Sequence, residues 1–220
     1  MSWSSGKDSA MSLYTLLKLN QYEIRGLLTT VSDVFHRVSM HGVREPLLDS
    51  QATSIGFPLD KVRIPYPCPN ELYEEEMSSK LLQYKARGIM HVIFGDLFLE
   101  DIRKYREEKL SLLGITPIFP LWKQDTLKLA KRILEAGFRA IITCVDEKKL
   151  NPVFAGREFN EQLLTDLPSG IDPCGENGEF HTFVYDGPIF RHPVKCRTGE
   201  VVERDSFIFC DLLSEEEVLA

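Results

Sequence analysis

Trp3-Ser4-Ser5-Gly6-Lys7-Asp8-Ser9 runs directly into an apolar helical stretch, and no other segment constrains the fold as tightly. A small-residue loop feeding a helix gathers backbone N–H groups at the positive end of the helix dipole, a geometry suited to phosphate or pyrophosphate. Gly6 allows close backbone approach, Lys7 adds a mobile positive charge, and Ser4, Ser5 and Ser9 bring hydroxyls. The spacing is not that of a Walker A loop, which needs Gly at Met1 and Ser or Thr at Asp8. A helix merely capped by Ser or Asp is the competing reading.

Beyond the loop, strand and helix alternate. Residues 9–20 read as a helix buried on more than one face, 22–31 as a strand, 33–43 as a polar loop, 45–55 as a helix and 61–64 as a strand. Pro65, Pro67 and Pro69 break regular structure before an acid-started helix over 71–87 that Gly88 stops. A strand over 90–94 ends at Gly95-Asp96, a charged helix covers 100–113, and a strand covers 115–120. This alternation predicts an α/β fold with a doubly wound parallel sheet, whose ligands bind beyond the C-terminal strand ends. Only Met1, Ser2 and Trp3 remain for the strand before the loop, which implies a very short strand or a start placed a few residues late.

From Asp125 the character shifts without a linker. Helices are expected over 126–136 and 158–165, and strands over 140–145, 180–185, 194–197 and 206–211, with an acidic tail over 214–220. The expected division is residues 1–122 as a nucleotide-binding domain and 123–220 as a smaller α+β domain for an acceptor substrate. Within the second part, Gly175-Glu176-Asn177-Gly178-Glu179-Phe180-His181-Thr182 combines turn residues with three titratable groups before an apolar strand. Alone, it reads equally as a hairpin turn with solvated charges.

A net charge of −7 disfavours a protein whose affinity comes mainly from nucleic-acid phosphates. Five cysteines without C-x-x-C spacing fit reduced thiols in the cytoplasm, and no apolar run of membrane-spanning length or signal-peptide cleavage site is present.

Ser4-Ser5-Gly6-Lys7-Asp8-Ser9 resembles the S-G-G-K-D-S signature of PP-loop ATP pyrophosphatases, with Ser5 replacing the first glycine. Together with M-H-G-V at 40–43, G-D at 95–96, P-L-W at 120–122, G-R at 156–157 and G-E-N-G-E-F-H-T at 175–182, the whole chain resembles the diphthine–ammonia ligase family of that superfamily. The family typically has E-G-G-E where this chain has Glu176-Asn177-Gly178-Glu179, a departure that resembles a bacterial subgroup whose acceptor differs.

The resemblance implies adenylation of a carboxylate by ATP with release of pyrophosphate, then displacement of AMP by ammonia or another amine. It implies that residues 4–9, Thr30, His41, Gly95 and Asp96 bind ATP, with Mg²⁺ on Asp8 or Asp96. Lys7, Asp8, Glu176, Glu179 and His181 are the implied catalytic residues; Arg157, Gly175, Glu176, Asn177, Gly178, Glu179 and Thr182 would hold the acceptor. Arg157 fits a helix-start salt bridge equally well, and His41 a structural hydrogen bond. The partners are a small-molecule or protein-borne carboxylate and ammonia, with a second copy of the chain a further candidate. A tRNA-modifying enzyme using Cys144 and Cys174, a nucleotide-binding module without turnover, and a zinc site from Cys174, His181, His192 and Cys196 are the rival readings.

Overall fold

The computed structural model describes residues 1–215. Its elements are α1 (Lys7–Leu19), β1 (Leu27–Ser32), β2 (Arg37–Val38), α2 (Glu45–Ile55), β3 (Leu59–Ile64), α3 (Asn70–Ala86), β4 (His91–Ile93), α4 (Glu100–Leu112) and β5 (Thr116–Ile118). Then come α5 (Thr126–Glu135), β6 (Arg139–Asp146), α6 (Glu161–Asp166), β7 (Phe180–Asp186), β8 (Cys196–Arg204) and β9 (Phe207–Ser214).

Residues 1–3 fill the strand position between β1 and β4. The Leu28 amide donates to Met1 O at 2.9 Å, Trp3 N–H to Leu28 O at 2.7 Å, and Ser2 N–H to Ile93 O at 2.9 Å. With β1 parallel to β3 and β4 parallel to β5, the sheet reads β3, β1, residues 1–3, β4, β5. The strand signal is weak because, of residues 1–3, Trp3 alone supplies a large fully buried side chain. The loops after residues 3, 32 and 93 all leave the C-terminal edge, where open α/β sheets bind ligands.

Both faces are covered. Ala10, Met11 and Leu13 of α1 and Leu47 and Leu48 of α2 join one core cluster with Ile142, Phe183 and Val184 of the second sheet. On the opposite face Leu81 of α3 and Leu110 of α4 close over Leu28, Val62 and Val92. The second sheet is antiparallel, ordered β7-β6-β9-β8. Leu13, Leu47 and Leu48 are fully buried, each stabilising the fold by about 1.5–3 kcal/mol relative to exposure. Because the larger cluster draws on both sides of residue 122, α1 and α2 work as a shared layer between the two sheets.

Several boundaries differ from the sequence expectation. The strand after α1 starts at Leu27 because Tyr22, Glu23 and Arg25 lie on the surface. The polar loop contains β2, two residues folded back against Val31 and Ser32. The last helix starts later, capped by Asn160, which accepts the Leu163 amide at 2.8 Å. Strand β8 extends to Arg204 through exposed residues with no apolar alternation to announce them. Ser214 and Glu215 of the expected tail belong to and follow β9, and 216–220 lie outside the described residues. No helix among the described residues is long and apolar enough to cross a membrane.

Candidate active site

Helix α1 begins at Lys7, so Lys7 and Asp8 occupy its first turn and only residues 4–6 form the loop. Gly6 is the N-cap residue, in an extended conformation without a side-chain cap, so helix capping does not explain the serines. The Ser4 and Ser9 hydroxyls lie 2.8 Å apart, and Ser4 Oγ accepts the Gly6 amide at 3.3 Å, folding the loop onto the helix. Ser5 adopts φ +70°, which explains a glycine at this place in the signature. Its carbonyl accepts the Val184 amide and Gln51 Nε2, both at 3.0 Å. A Cβ on Gly6 would stand 2.8 Å from His41 Cε1, so only glycine admits that ring.

The loop opens into a cleft of about 620 Å³, bounded by the ends of β1 and β4, by α3 and α4, and by residues 174–178. Ser4, Lys7, Asp8, Ser9, Thr30, His41, Gly95 and Asp96 all line it. So do Gly175, Glu176, Asn177, Gly178, His181 and Thr182 from the second motif. Ser5 and Gly6 do not form its wall; both shape the loop from behind.

Lys7 is not the mobile cation expected of it. Only 1% of the residue is exposed; Nζ lies 2.9 Å from Asp8 Oδ2, donates to the Cys174 carbonyl, and sits over the Phe159 and Phe180 rings. Burial opposes its charge, but Asp8, with Cys174 and Glu176, outweighs burial and holds the ammonium above its ordinary range. At Asp8 burial prevails over Lys7 and pushes the carboxyl upward.

The second motif locks onto the first. Gly175 turns at φ +70°, and a Cβ there would meet Phe180 O at 2.7 Å. Glu176 Oε1 accepts the Leu97 amide at 2.7 Å and the Phe98 amide at 3.3 Å, tying the turn to the end of β4. Burial, helped by Asp8 and Asp96 and resisted by those amides, raises this carboxyl to about 7. Thr182 Oγ1 accepts the Lys7 amide at 3.1 Å, so it satisfies the helix start.

His41 Nδ1 donates to Thr182 O at 3.0 Å, and its ring lies 4.7 Å from that of His181. Burial lowers His41 to about 4 and His181 well below its ordinary value, so both rings are neutral near pH 7.

Three expected site residues sit elsewhere or act differently. Glu179 is buried behind the turn, where Oε1 accepts the Asp172 amide at 3.0 Å and Asn177 Nδ2 at 3.1 Å. Asn177 is therefore engaged with Glu179, while its carbonyl accepts Lys149 Nζ at 2.8 Å. Arg157 is not part of the cleft wall and pairs at 2.6 Å with Asp166, the last residue of α6, a salt bridge to the helix end rather than the helix-start one expected. Asp96 does line the cleft, with Oδ2 3.0 Å from Arg106 Nε.

Sequence reasoning missed Gln51 and Arg106. Gln51 is fully buried; it accepts Trp3 Nε1–H at 2.7 Å and donates to the Ser5 and Val184 carbonyls. A glutamine among Leu47, Leu48, Ala52 and Ile55 on a largely apolar helix face was the available signal. Arg106 lay hidden in a helix dense with charge.

The Cys144 and Cys174 thiols are buried and pushed upward by that burial, Cys144 to about 12, the opposite of an activated thiolate. Among the described residues no group of three or more His, Cys, Asp or Glu could hold a metal by itself.

A family profile described as the diphthamide synthase N-terminal domain matches residues 1–116, and one described as its C-terminal domain matches residues 125–216. The chain belongs to the diphthamide synthase family. Among its curated relatives, a diphthine–ammonia ligase of Danio rerio is 26% identical over 220 residues, covering 90% of this chain and 86% of the relative. The Bos taurus diphthine–ammonia ligase is 29% identical over 141 residues, covering 61% of this chain and 53% of that protein. That of Schizosaccharomyces pombe is 34% identical over 110 residues, or 48% of this chain and 18% of the relative. The chain thus spans about half of the bovine protein and a fifth of the fission-yeast one. The two profiles of the diphthamide synthase family meet around the cleft, one matching the phosphate-type loop and the other the turn that closes on it.

Proposed function

We propose that this chain is an ATP-dependent ligase that converts a carboxylate to an amide through an acyl adenylate, as the names of its relatives suggest for an ammonia-using reaction. The observation that carries the reading is the closure of residues 174–182 over the start of α1, which faces a 620 Å³ cleft at the C-terminal sheet edge. A nucleotide needs such a volume, and a triphosphate is stabilised by the dipole at a first helical turn.

In this reading the polyphosphate lies on Ser4, Asp8 and Ser9, and adenine extends toward Thr30 and His41. The acceptor carboxylate oxygen attacks the α phosphorus, the bond to the bridging oxygen breaks, and pyrophosphate leaves. Ammonia then attacks the acyl carbon, AMP departs with the bonding electrons, and the nitrogen loses a proton. Glu176, raised to about 7 and fixed by two amides, is placed to take that proton. His41 and His181 line the cleft as neutral rings, so they add no positive charge beside the phosphates.

Asp8 fits a magnesium ion, because Oδ1 is buried without a hydrogen-bond partner while Oδ2 faces Lys7. Mg²⁺ characteristically takes one or two carboxylates and completes its shell with water and phosphate oxygens. When bound, it would neutralise charge on the phosphates and the departing pyrophosphate. Lys7 acts from behind, fixing Asp8 and the Cys174 carbonyl so that loop and turn keep their spacing.

The test is to incubate the protein with ATP, Mg²⁺, ammonium and a panel of carboxylic acids, and to measure AMP and pyrophosphate. Carboxylate-dependent AMP formation with a matching amide is expected. Release of ADP and phosphate alone would overturn the reading.

A further inference from the structure

Because residues 1–3 lie between β1 and β4, the loop that follows rises between two groups of cleft-lining residues, a β1 lobe and a β4 lobe. On the β1 side lie Thr29, Thr30, Ser39 and Met40; on the β4 side lie Tyr73 and Met77 of α3 with Leu99, Ile102 and Arg106 from the start of α4. A nucleotide extending toward Thr30 occupies the first lobe and leaves the second free beside the phosphates. That second lobe continues into an apolar slot of about 60 Å³ between α3 and α4, sharing Tyr73, Met77, Phe94 and Arg106 with it and ending at Leu81 and Leu110.

Charge selects what enters there. Lys7 and Arg106 are the two lysine or arginine side chains lining the cleft among the described residues. Lys7 is consumed by Asp8 and the Cys174 carbonyl. Asp8, Asp96 and Glu176 face the same space and would repel an incoming carboxylate, as would the phosphates.

Arg106, paired with Asp96 but partly exposed to the cleft, is the other positive charge. Its guanidinium carbon lies 4.2 Å from the Phe94 ring centroid, Nη2 donates to Asp96 Oδ1 at 3.2 Å, and the side chain is 28% exposed. Nε and Asp96 Oδ2 are 3.0 Å apart, yet both are buried without a well-formed hydrogen bond. Stacking on Phe94 and the ion pair that Nε and Nη2 make with Asp96 hold the guanidinium in place, and Nη1, without a hydrogen bond among the described residues, is the edge left to receive a carboxylate.

We infer that the lobe between α3 and α4 is the acceptor subsite, and that it takes a carboxylate carried on an apolar stem. Arg106 grips the carboxylate and aims it at the α phosphorus, while Met77, Ile102 and the slot beyond accept the stem. The subsite belongs to the first 122 residues, so the turn at 174–178 closes over an acceptor held by the other half of the chain. This rests on the reading of residues 4–9 as the polyphosphate site.

The experiment uses the full chain saturated with Mg²⁺ and α,β-methylene ATP. Binding of short and longer aliphatic monocarboxylates, their amides, and a blocked glutamyl peptide is followed by saturation-transfer NMR and titration. Carboxylates should bind and amides should not; the free acids and the peptide separate a small-molecule source from a protein-borne one. Arg106→Gln should weaken carboxylate binding about tenfold or more while leaving affinity for the ATP analogue within about twofold. Arg106→Lys, which keeps charge and loses the fork, should fall between. The unchanged analogue affinity reports an intact cleft. If Arg106→Gln weakened the analogue instead, or no carboxylate were preferred over its amide, the subsite would be wrong. Failure of the analogue to protect residues 4–9 would instead reject the polyphosphate reading.

Discussion

Replacing Ser5 by glycine should stabilise the protein, although the residue is fully buried at the centre of its best-marked motif. Ser5 sits at φ +70°, where a side chain costs about 1–2 kcal/mol relative to glycine. Its hydroxyl is also buried without a partner, a further penalty of about 1–3 kcal/mol. Against these gains stand about 0.5–1 kcal/mol from the greater freedom of unfolded glycine and about 1 kcal/mol from lost packing. The hydrogen bonds from Gln51 and Val184 use the Ser5 carbonyl and survive the change. The net, from the midpoints, is about 2 kcal/mol of stabilisation, or roughly 4–8 °C in Tm for a chain of this size. Urea unfolding of wild type, Ser5→Ala and Ser5→Gly should place alanine between the other two, because it removes the hydroxyl but keeps the strained backbone. A glycine variant less stable than wild type would refute the strain argument. Alanine above glycine would show that the hydroxyl alone mattered.

Lys7→Met should lose ATP-dependent AMP formation and also destabilise the fold by about 3–5 kcal/mol, since Asp8 is left without its ammonium; chemical denaturation beside the AMP assay checks both, and loss of activity at unchanged stability would contradict the burial of Lys7. Arg157→Ala should leave AMP formation unchanged and cost at most about 1 kcal/mol, as expected for its partly exposed pair with Asp166; a large fall in turnover would return Arg157 to the acceptor site. The pH dependence carries two opposed contributions. His41 is depressed to about 4 in the fold, so its contribution is present above pH 6.5 and is lost as pH falls toward 4, by about 2–3 kcal/mol. Glu176 is raised to about 7, so the folded state binds the extra proton and its contribution fades as pH rises from about 4.5 to 7. Urea midpoints across that range should lose part of their acid-side fall in His41→Gln, the rest remaining with the buried His181 ring, and Glu176→Gln should remove the opposite slope.

The alternating sheet, its C-terminal edge and the two motifs themselves were legible because each leaves a local mark. Helical periodicity, a Gly-containing loop before a helix and a Gly-Asn-Gly turn can be read one segment at a time. What was not legible depends on packing between distant segments. Nothing local distinguishes Lys7 as a solvent-facing phosphate ligand from Lys7 as a buried strut, because Cys174, Phe159 and Phe180 lie far along the chain. Glu176 and Glu179 look interchangeable in the sequence. One reaches the amides after β4 and lines the cleft, while the other turns inward to hold Asp172. Arg106 was invisible because its helix also carries Arg103, Lys104, Glu107 and Glu108, and only Phe94 and Asp96 single it out.

Those long-range contacts explain why the motif halves should act as one unit. The Lys7 side chain reaches the Cys174 carbonyl, its amide reaches Thr182, and Glu176 returns to Leu97 and Phe98. Gly6 meanwhile admits the His41 ring, which hydrogen-bonds the Thr182 carbonyl. The first helical turn, the end of β4 and the start of β7 are thus fixed relative to one another before any ligand arrives. Such preorganisation suits the proposed transfer to the α phosphorus, because groups already fixed need no reorganisation as charge develops on the phosphate oxygens. It also explains the buried, strained and incompletely bonded groups concentrated here. Ser5, Asp8 and Glu179 each leave a buried oxygen without a partner, and the two halves of the fold are held together across them.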